Sequence, residues 1–229
     1  MSTDENIKTL NQIFQTIFQK PLPWNLKTFC EKFTFDIKLP SLVRDSITKE
    51  STYSAMPNAK SFMTTASVQQ RENWLLPKRI PHSIDEIIAI WESVNYIATE
   101  RVTNSENVSA SDPIYNSTNV HASTNCGDCD HILFCDGTYE SNYAAACQRS
   151  TNLSYCLRVD DSAACTNSYN VICSNKISNS YFIQDASNLY ECMFCSHLAH
   201  CQFCIANMQF TEAEYYRLKT EITKWILQT

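Results

Sequence analysis

The sequence predicts a mainly β protein: a right-handed parallel β-helix, or solenoid, preceded by a small α+β segment and closed by a C-terminal helix. Three observations predict it: the composition changes near residue 103, a short phrase recurs after it, and a helical pattern returns at the end. Apolar residues make up 44% of the 229 residues, enough for a packed core. We expect residues 1–102 to form an α+β cap, 103–210 the solenoid and 211–229 a capping helix.

The first forty residues predict two helices and a strand. Apolar residues recur at helical spacing from Ile7 to Phe18, and Pro21 ends that helix. Asn25 is a suitable N-cap for a short second helix. Apolar and polar residues then alternate over 33–39, which predicts a strand with one buried face.

The rest of the N-terminal segment is less regular. Prolines divide residues 40–81 into loops and short elements. Ser83 and Glu86 form a capping box before an apolar face, which predicts a helix of about four turns. We expect this helix to end near Arg101.

The solenoid prediction depends on a recurring Asn-Ser-x-Asn-Val phrase. It occurs at 104–108, 116–120 and 167–171, and short apolar patches about 9 to 12 residues apart lie between the copies. Each coil of a solenoid buries its inward face by stacking on the next, at a spacing of ~4.8 Å. Because the chain has only two glycines, Asn must supply many left-handed corners. No strict hexapeptide or pentapeptide repeat occurs, which favours a right-handed coil with irregular turns.

The last nineteen residues predict a second capped helix. Thr211 and Glu214 form a capping box, and apolar residues from Tyr215 to Trp225 share one face. A solenoid needs its terminal coil covered, because an open strand edge promotes aggregation. We expect this helix to cover one end of the solenoid and the N-terminal segment to cover the other.

Residues 178–222 contain the phrases NSYFIQD, YECMFCSHL and CIANMQF, followed by Glu-x-Tyr. This series resembles the C-terminal part of a set of uncharacterised cysteine-rich bacterial β-solenoid proteins, many of them from uncultured candidate phyla. In those proteins Asn-, Ser- and Cys-rich coils precede a similar tail and a final helix. The resemblance covers less than a quarter of the chain, and residues 1–102 lack the zinc-binding finger of larger members. It implies a β-solenoid and no particular activity.

The distribution of charge narrows the classes of partner. The net charge is −6, and the stretch from Glu106 to Phe210 contains ten acidic and three basic residues. Such a surface is repelled by nucleic acid and by anionic lipid, so we expect neither as a partner. No apolar run is long enough to span a bilayer, and the N-terminus lacks the layout of a signal peptide. We therefore expect a cytoplasmic protein with reduced thiols.

Eleven of the twelve cysteines lie between Cys126 and Cys204. The strongest metal-like pattern is a pair of Cys-x-x-Cys motifs formed by Cys192, Cys195, Cys201 and Cys204. Such pairs can hold zinc or an iron–sulfur centre, although the usual gap between the pairs is longer, roughly 15 to 20 residues. The alternative, which we favour, is that the thiols lie inside the coils as small apolar side chains and no cofactor is bound.

A second pattern is a set of polar residues that follow the apolar patches. Asp136, Asp161 and Asp185 are spaced 25 and 24 residues apart, so we expect them to share one face. We expect a binding face that consists of Asp136, Arg149, Arg158, Asp161, Gln184, Asp185 and His197. The candidates for acid–base catalysis within this region are Asp160, Asp161, Arg158, Asp185 and Asp136. The alternative is a hydrated corner whose polar side chains only bond to the backbone.

These patterns favour a non-enzymatic scaffold that binds a protein or peptide on an extended acidic face. One alternative is an enzyme, or an accessory subunit, that acts on a saccharide or peptide through the Asp/Arg row. Another is a metal-binding module that uses residues 192–204. The sequence contains no Gly-rich phosphate loop, no G-x-S-x-G and no H-E-x-x-H.

Overall fold

A computed structural model describes residues 2–228 and contains a solenoid of about nine turns. The elements before the solenoid are α1 (Thr3–Phe18), α2 (Leu26–Phe33), β1 (Ser41–Arg44), β2 (Ser51–Ser54), β3 (Phe62–Thr64), α3 (Thr65–Gln70), α4 (Ile84–Glu92) and β4 (Ile97–Thr99). The solenoid strands are β5 (Val102–Thr103), β6 (Glu106–Ser109), β7 (Ile114–Tyr115), β8 (Thr118–His121), β9 (Cys126–Gly127), β10 (Asp130–Leu133), β11 (Asp136–Tyr139), β12 (Asn142–Ala145), β13 (Gln148–Thr151), β14 (Ser154–Asp160), β15 (Ala163–Ile172), β16 (Asn175–Ser178), β17 (Tyr181–Gln184), β18 (Ser187–Ser196), β19 (Gln202–Ile205) and β20 (Met208–Gln209). The last element is α5 (Glu212–Gln228), and no helix within 2–228 is long and apolar enough to cross a bilayer.

Each coil contains twelve residues and follows a three-residue rhythm. Strands β8, β10 and β12 pair in parallel, each residue with the one twelve positions further on. From Asn104 to Ala206 every third residue except Pro113 has a positive φ. The residue after each such corner is buried without exception from Ser111 to Cys195. Each coil therefore has four corners and four inward side chains, and the inward side chains stack in four columns. The predicted solenoid is confirmed, and its right-handedness stays a prediction.

Asparagine is not the only residue type at the corners. Asn167 has the expected left-handed backbone (φ 48°), but so do Tyr143 (φ 51°) and Phe182 (φ 56°). This conformation costs an L-residue roughly 1–2 kcal/mol, and asparagine tolerates it best. Larger side chains occupy corners where they stack on the same corner of the next coil: the rings of Tyr143 and Tyr155 lie 4.6 Å apart.

Inward serines and cysteines complete the stacking of the coils. Ser180 Oγ donates to the Ser178 carbonyl at 2.7 Å and accepts from the Cys192 N–H at 3.0 Å. Cys135 Sγ makes the equivalent pair, donating to the Leu133 carbonyl and accepting from the Cys147 N–H, both at 3.3 Å. Inward serine and cysteine thus have the same role, because each side chain bonds to one buried N–H donor and one buried carbonyl acceptor.

One side of the solenoid is apolar on its outer surface and is covered by helices. Its row of outward residues, spaced by twelve, is Leu133, Ala145, Leu157, Tyr169, Tyr181, Met193 and Ile205. The ring of Phe18 in α1 lies 5.5 Å from both Tyr169 and Tyr181. The Tyr181 hydroxyl donates to the Ile17 carbonyl at 2.5 Å. The predicted first helix is confirmed, and it lies along the side of the coils.

Two predictions for the N-terminal segment are wrong. The strand expected over 33–39 is absent: α2 extends to Phe33, and Phe35 is 74% exposed. The buried residues are Phe33 and Ile37, which are four positions apart, so the alternation there reflects helix-end packing and a turn. The helix capped by Ser83 ends at Glu92, because the chain then forms β4 in parallel with β3.

The two ends of the solenoid are covered in different ways. At the first coil, the buried Asp112 carboxylate accepts from the Ala55 N–H at 2.9 Å and pairs with Arg101 at 2.8 Å. At the last coil, β20 pairs antiparallel with β19 and covers part of the edge. Helix α5 begins at the last coil and then extends along the side of the solenoid. Near its end, the ring of Trp225 lies 6.0 Å from the ring of Phe182. The expectation that α5 acts as an end cap is therefore corrected to a side brace.

Candidate binding face

Five exposed corner residues form a continuous row on a side that the helices leave open. The corner row, with members twelve residues apart, consists of Arg149, Asp161, Cys173, Asp185 and His197. All five side chains are exposed. Because neighbouring coils lie ~4.8 Å apart, the row spans about 19 Å.

A shallow groove accompanies the corner row. Its volume is about 910 Å³. The corner row forms one wall, and the neighbouring outward positions form the floor, which consists of Thr151, Ala163, Asn175, Ser187 and Ala199. These side chains are small, so an extended ligand could approach the solenoid backbone closely.

The charges of the face are only partly compensated. Arg149 pairs with Asp160 at 2.6 Å, and Gln148 Nε2 donates to the same carboxylate at 3.1 Å. Asp161 and Asp185 form no salt bridge with any residue in 2–228. These two carboxylates therefore carry the net negative charge of the corner row.

Cys173 occupies the centre of the corner row, between Asp161 and Asp185. Its Sγ lies 4.0 Å from Asp161 Oδ2. Partial desolvation, then the charges of Asp161 and Asp185, raise the pKa of the thiol. His197 is two coils away, roughly 10 Å, which is too far for a Cys–His pair. Cys173 is thus a neutral thiol at neutral pH and lacks the features of a nucleophile.

The residues predicted to share one binding face divide into two rows, and their role in binding stays a prediction. Asp136, Asp160 and Gln184 are spaced by 24 residues, two coils, and lie one position before the corners. The 25-residue interval from Asp136 to Asp161 is two coils plus one residue, so the two are not in line. Asp136 Oδ1 is also occupied, by the Thr124 hydroxyl at 2.5 Å and by Asn125 Nδ2 at 3.0 Å.

Arg158 does not belong to this face. Its guanidinium points to the helix-covered side, where it donates to the Phe33 carbonyl at 3.1 Å and pairs bidentately with Asp36. The hydrogen bond from Arg158 lowers the pKa of Asp36. Arg158 therefore attaches the segment after α2 to the solenoid.

The acid–base alternative depends on which carboxylates of the face are exposed. Asp160 and Asp136 are half-buried and hydrogen-bonded, whereas Asp161 and Asp185 are exposed, although Asp185 Oδ2 accepts from Gln184 Nε2 at 3.2 Å. These two lie two coils, about 10 Å, apart along the row, near the upper end of the roughly 6.5–9.5 Å carboxyl separation of inverting glycosidases. The same spacing also allows the two carboxylates to bind two separate cationic groups.

Ten of the eleven solenoid cysteines are inward residues, as the packing interpretation predicts, and Cys173 is the exception. All twelve cysteines are free. Burial raises the pKa of Cys129 to about 11 and that of Cys165 to about 12, so both stay neutral thiols. Cys192 stacks on Cys204 in one column, but within the described range no group of three or more His, Cys, Asp or Glu side chains could hold a metal ion. Zinc or iron–sulfur binding at residues 192–204 stays a prediction.

Cys173 is a member of the corner row that the sequence analysis does not predict, because the cysteine pattern as a whole indicates inward thiols. The signal was present: Cys173 lies twelve residues from both Asp161 and Asp185, whereas every inward cysteine differs from it in the three-residue register.

Comparisons of the chain with protein-family models, with curated proteins and with solved structures find no match.

Proposed function

We propose that this protein is a non-enzymatic scaffold that binds a basic protein segment along the groove beside the corner row. The observation that carries the proposal is the pair of uncompensated, exposed carboxylates of Asp161 and Asp185 on a straight open groove. We also propose that the partner is neither a nucleic acid nor a membrane, because the solenoid is acidic.

The dimensions of the groove favour an extended segment. The corner row spans about 19 Å, and an extended chain rises ~3.3 Å per residue, so about six residues would fit. Alternate side chains of such a segment point to the same side, which allows two Lys or Arg side chains to reach Asp161 and Asp185. The small side chains of the floor leave room for the backbone of the bound segment.

The test is the binding of labelled hexapeptides measured by fluorescence anisotropy. A peptide with alternating Lys and Ser should bind, and the same peptide with Glu for Lys should not. The double variant Asp161→Asn/Asp185→Asn should weaken binding at least about tenfold, since charged interface contacts are worth several kcal/mol in favourable cases.

The matched control is Glu106→Gln/Glu140→Gln, which removes the same charge from other exposed positions. If the two double variants weaken binding equally, the peptide senses only the net charge and the groove is not the site. The groove is likewise not the site if both double variants bind the peptide at low salt and lose that binding equally at 0.15 M salt.

A further inference from the structure

A second groove, of about 900 Å³, lies on the helix-covered side between α1 and α5. One wall is the last turn of α1, the other is α5, and Tyr181 and Asn179 lie at the floor. This volume lies within the range of small-molecule sites, roughly 300–1,000 Å³.

The groove is positively charged in an otherwise acidic chain. Three lysines line it, Lys20, Lys219 and Lys224, together with one acid, Glu191. Lys219 Nζ lies 2.7 Å from Glu191 Oε2, so this pair is internally neutral. Lys20 and Lys224 form no salt bridge with any residue of the described chain, and they supply the net charge.

The end of α1 offers less repulsion to an anion than a free helix C-terminus would. Terminal carbonyls carry partial negative charge because they lack partners within the helix. Here the Ile17 carbonyl accepts the Tyr181 hydroxyl, and the Gln15 carbonyl accepts the N–H of Gln19 at 3.1 Å.

Three accessible apolar side chains line the groove: the exposed Pro21 and Pro23, and the half-buried Leu227 of α5. Phe18 and Tyr181 are packed beneath it, at 4% and 1% exposure. A ligand that fits such a lining has an apolar body and a charged end.

We propose that this groove binds a small organic anion, whose charged group is held by Lys20 and Lys224 and whose apolar body lies against Pro21, Pro23 and Leu227. The site is separate from the groove of the corner row and does not depend on the scaffold function.

The probe for the test is anilinonaphthalene sulfonate, an aromatic anion that fluoresces when it leaves water. The folded protein should bind one probe molecule per chain at this groove. Lys20→Glu/Lys224→Glu should weaken binding at least about tenfold, and the matched control Lys8→Glu/Lys176→Glu, which changes exposed lysines elsewhere, should leave it within about twofold. Near-UV circular dichroism of each variant shows whether its packing is intact.

Two further variants separate the groove from other apolar surface. Thr220→Trp places a large ring in the groove without removing either lysine, and it should reduce the probe signal. Trp91→Ser removes an exposed ring of α4, 58% accessible, and should leave the signal unchanged. Equal binding by the Lys20/Lys224 variant, or loss of the signal in Trp91→Ser, would overturn the proposal.

Competition identifies the natural class of anion. Displacement of the probe by decanoate indicates a fatty carboxylate, and displacement by adenosine monophosphate indicates a nucleotide; either outcome supports an anion site. Failure of both to displace the probe contradicts it.

Discussion

Single inward serines of the solenoid do more than fill space. Ser180 is completely buried, and its hydroxyl is the partner of the Cys192 N–H in the next coil. We expect Ser180→Ala to lower the free energy of unfolding by about 1–3 kcal/mol, because a buried N–H loses its partner. Urea denaturation measures the change.

The matched substitution is Ser180→Cys. Cysteine occupies the same column at Cys156 and Cys192, and an inward thiol can accept the same hydrogen bond. We expect this variant to lose less stability than the alanine variant. Equal losses for both would mean that a thiol cannot replace the hydrogen bonds of the hydroxyl at this position.

Thiol reactivity follows the three-residue register. Cys173 is exposed, while the other solenoid cysteines are buried or, at Cys201, half-buried. N-ethylmaleimide should therefore add first to Cys173 in the folded protein, as intact mass spectrometry would show, and Cys173→Ser should abolish that first adduct. Unfolded protein should take twelve adducts. A first adduct at Cys192 or Cys195 would show that the terminal coils open.

Metal content separates the two interpretations of the terminal cysteines. We expect no stoichiometric zinc or iron in untagged protein by elemental mass spectrometry, because inward thiols are desolvated and pair with backbone carbonyls. About one metal per chain, lost in Cys192→Ser/Cys201→Ser, would contradict this and assign a metal site to the last coils.

The residue scale is where sequence reasoning stopped short. The sequence analysis predicts asparagine at the corners, but it does not predict the buried serines, such as Ser180, that follow the corners in the three-residue register. The three copies of Asn-Ser-x-Asn-Val keep the triplet register, and yet Val171 lies in a different column from Val108 and Val120. The recurring phrase therefore indicates the three-residue register, but it does not indicate the length of the coil.

Elements pack against the solenoid through a few specific contacts, of which the Asp36–Arg158 pair is one. Arg158 lowers the pKa of Asp36 below the usual 3.8. The pair therefore contributes stability above about pH 4, and this contribution is lost as the pH falls through the folded-state pKa. Asp36→Asn should lower the free energy of unfolding by up to about 1 kcal/mol at pH 7, since the carboxylate is partly exposed.

Urea denaturation at several pH values tests this dependence. The difference between the wild type and Asp36→Asn should shrink below pH 4. Glu31→Gln is the control, since its pair with Lys27 is highly exposed and should contribute little. A difference that stays constant down to pH 3 would show that Asp36 acts through packing alone.

Helices were predictable where capping and periodicity agree. Asn25 caps α2, and Thr211 and Glu214 bond reciprocally at the start of α5. Ends were less predictable, because tertiary pairing decides them: β4 begins soon after α4 since it pairs with β3. The side position of α5 depends on the outward apolar row, which is visible only once the coil length is known.

The whole molecule is built on a coil of twelve residues, and this length is testable. Insertion of a second copy of residues 106–117 should preserve β structure and cooperative unfolding, because every inward position keeps its column. Insertion of a second copy of 106–116 should lower the stability and disorder the first coil, since that coil then stacks one position out of register with the rest. Circular dichroism and urea denaturation compare the two. Equal tolerance of both insertions would mean that the columns do not determine the fold.

The sequence allowed most residues of the candidate face to be predicted, but it did not allow their arrangement in rows to be predicted. An estimated period of 9 to 12 residues could not distinguish a single row from two adjacent ones, and it placed Arg158 on the wrong side. Once the period is fixed at twelve, the alignment of Arg149, Asp161, Cys173, Asp185 and His197 follows from subtraction.

The three-residue register also separates two kinds of sequence information. One residue in three determines how the coils stack, and the outward residues of the open sides are left to determine what the surface displays. Selection could therefore rewrite the corner row one coil at a time, with little effect on folding. Related chains would then share their interiors while presenting different faces, and their inward columns would be the better guide to common descent.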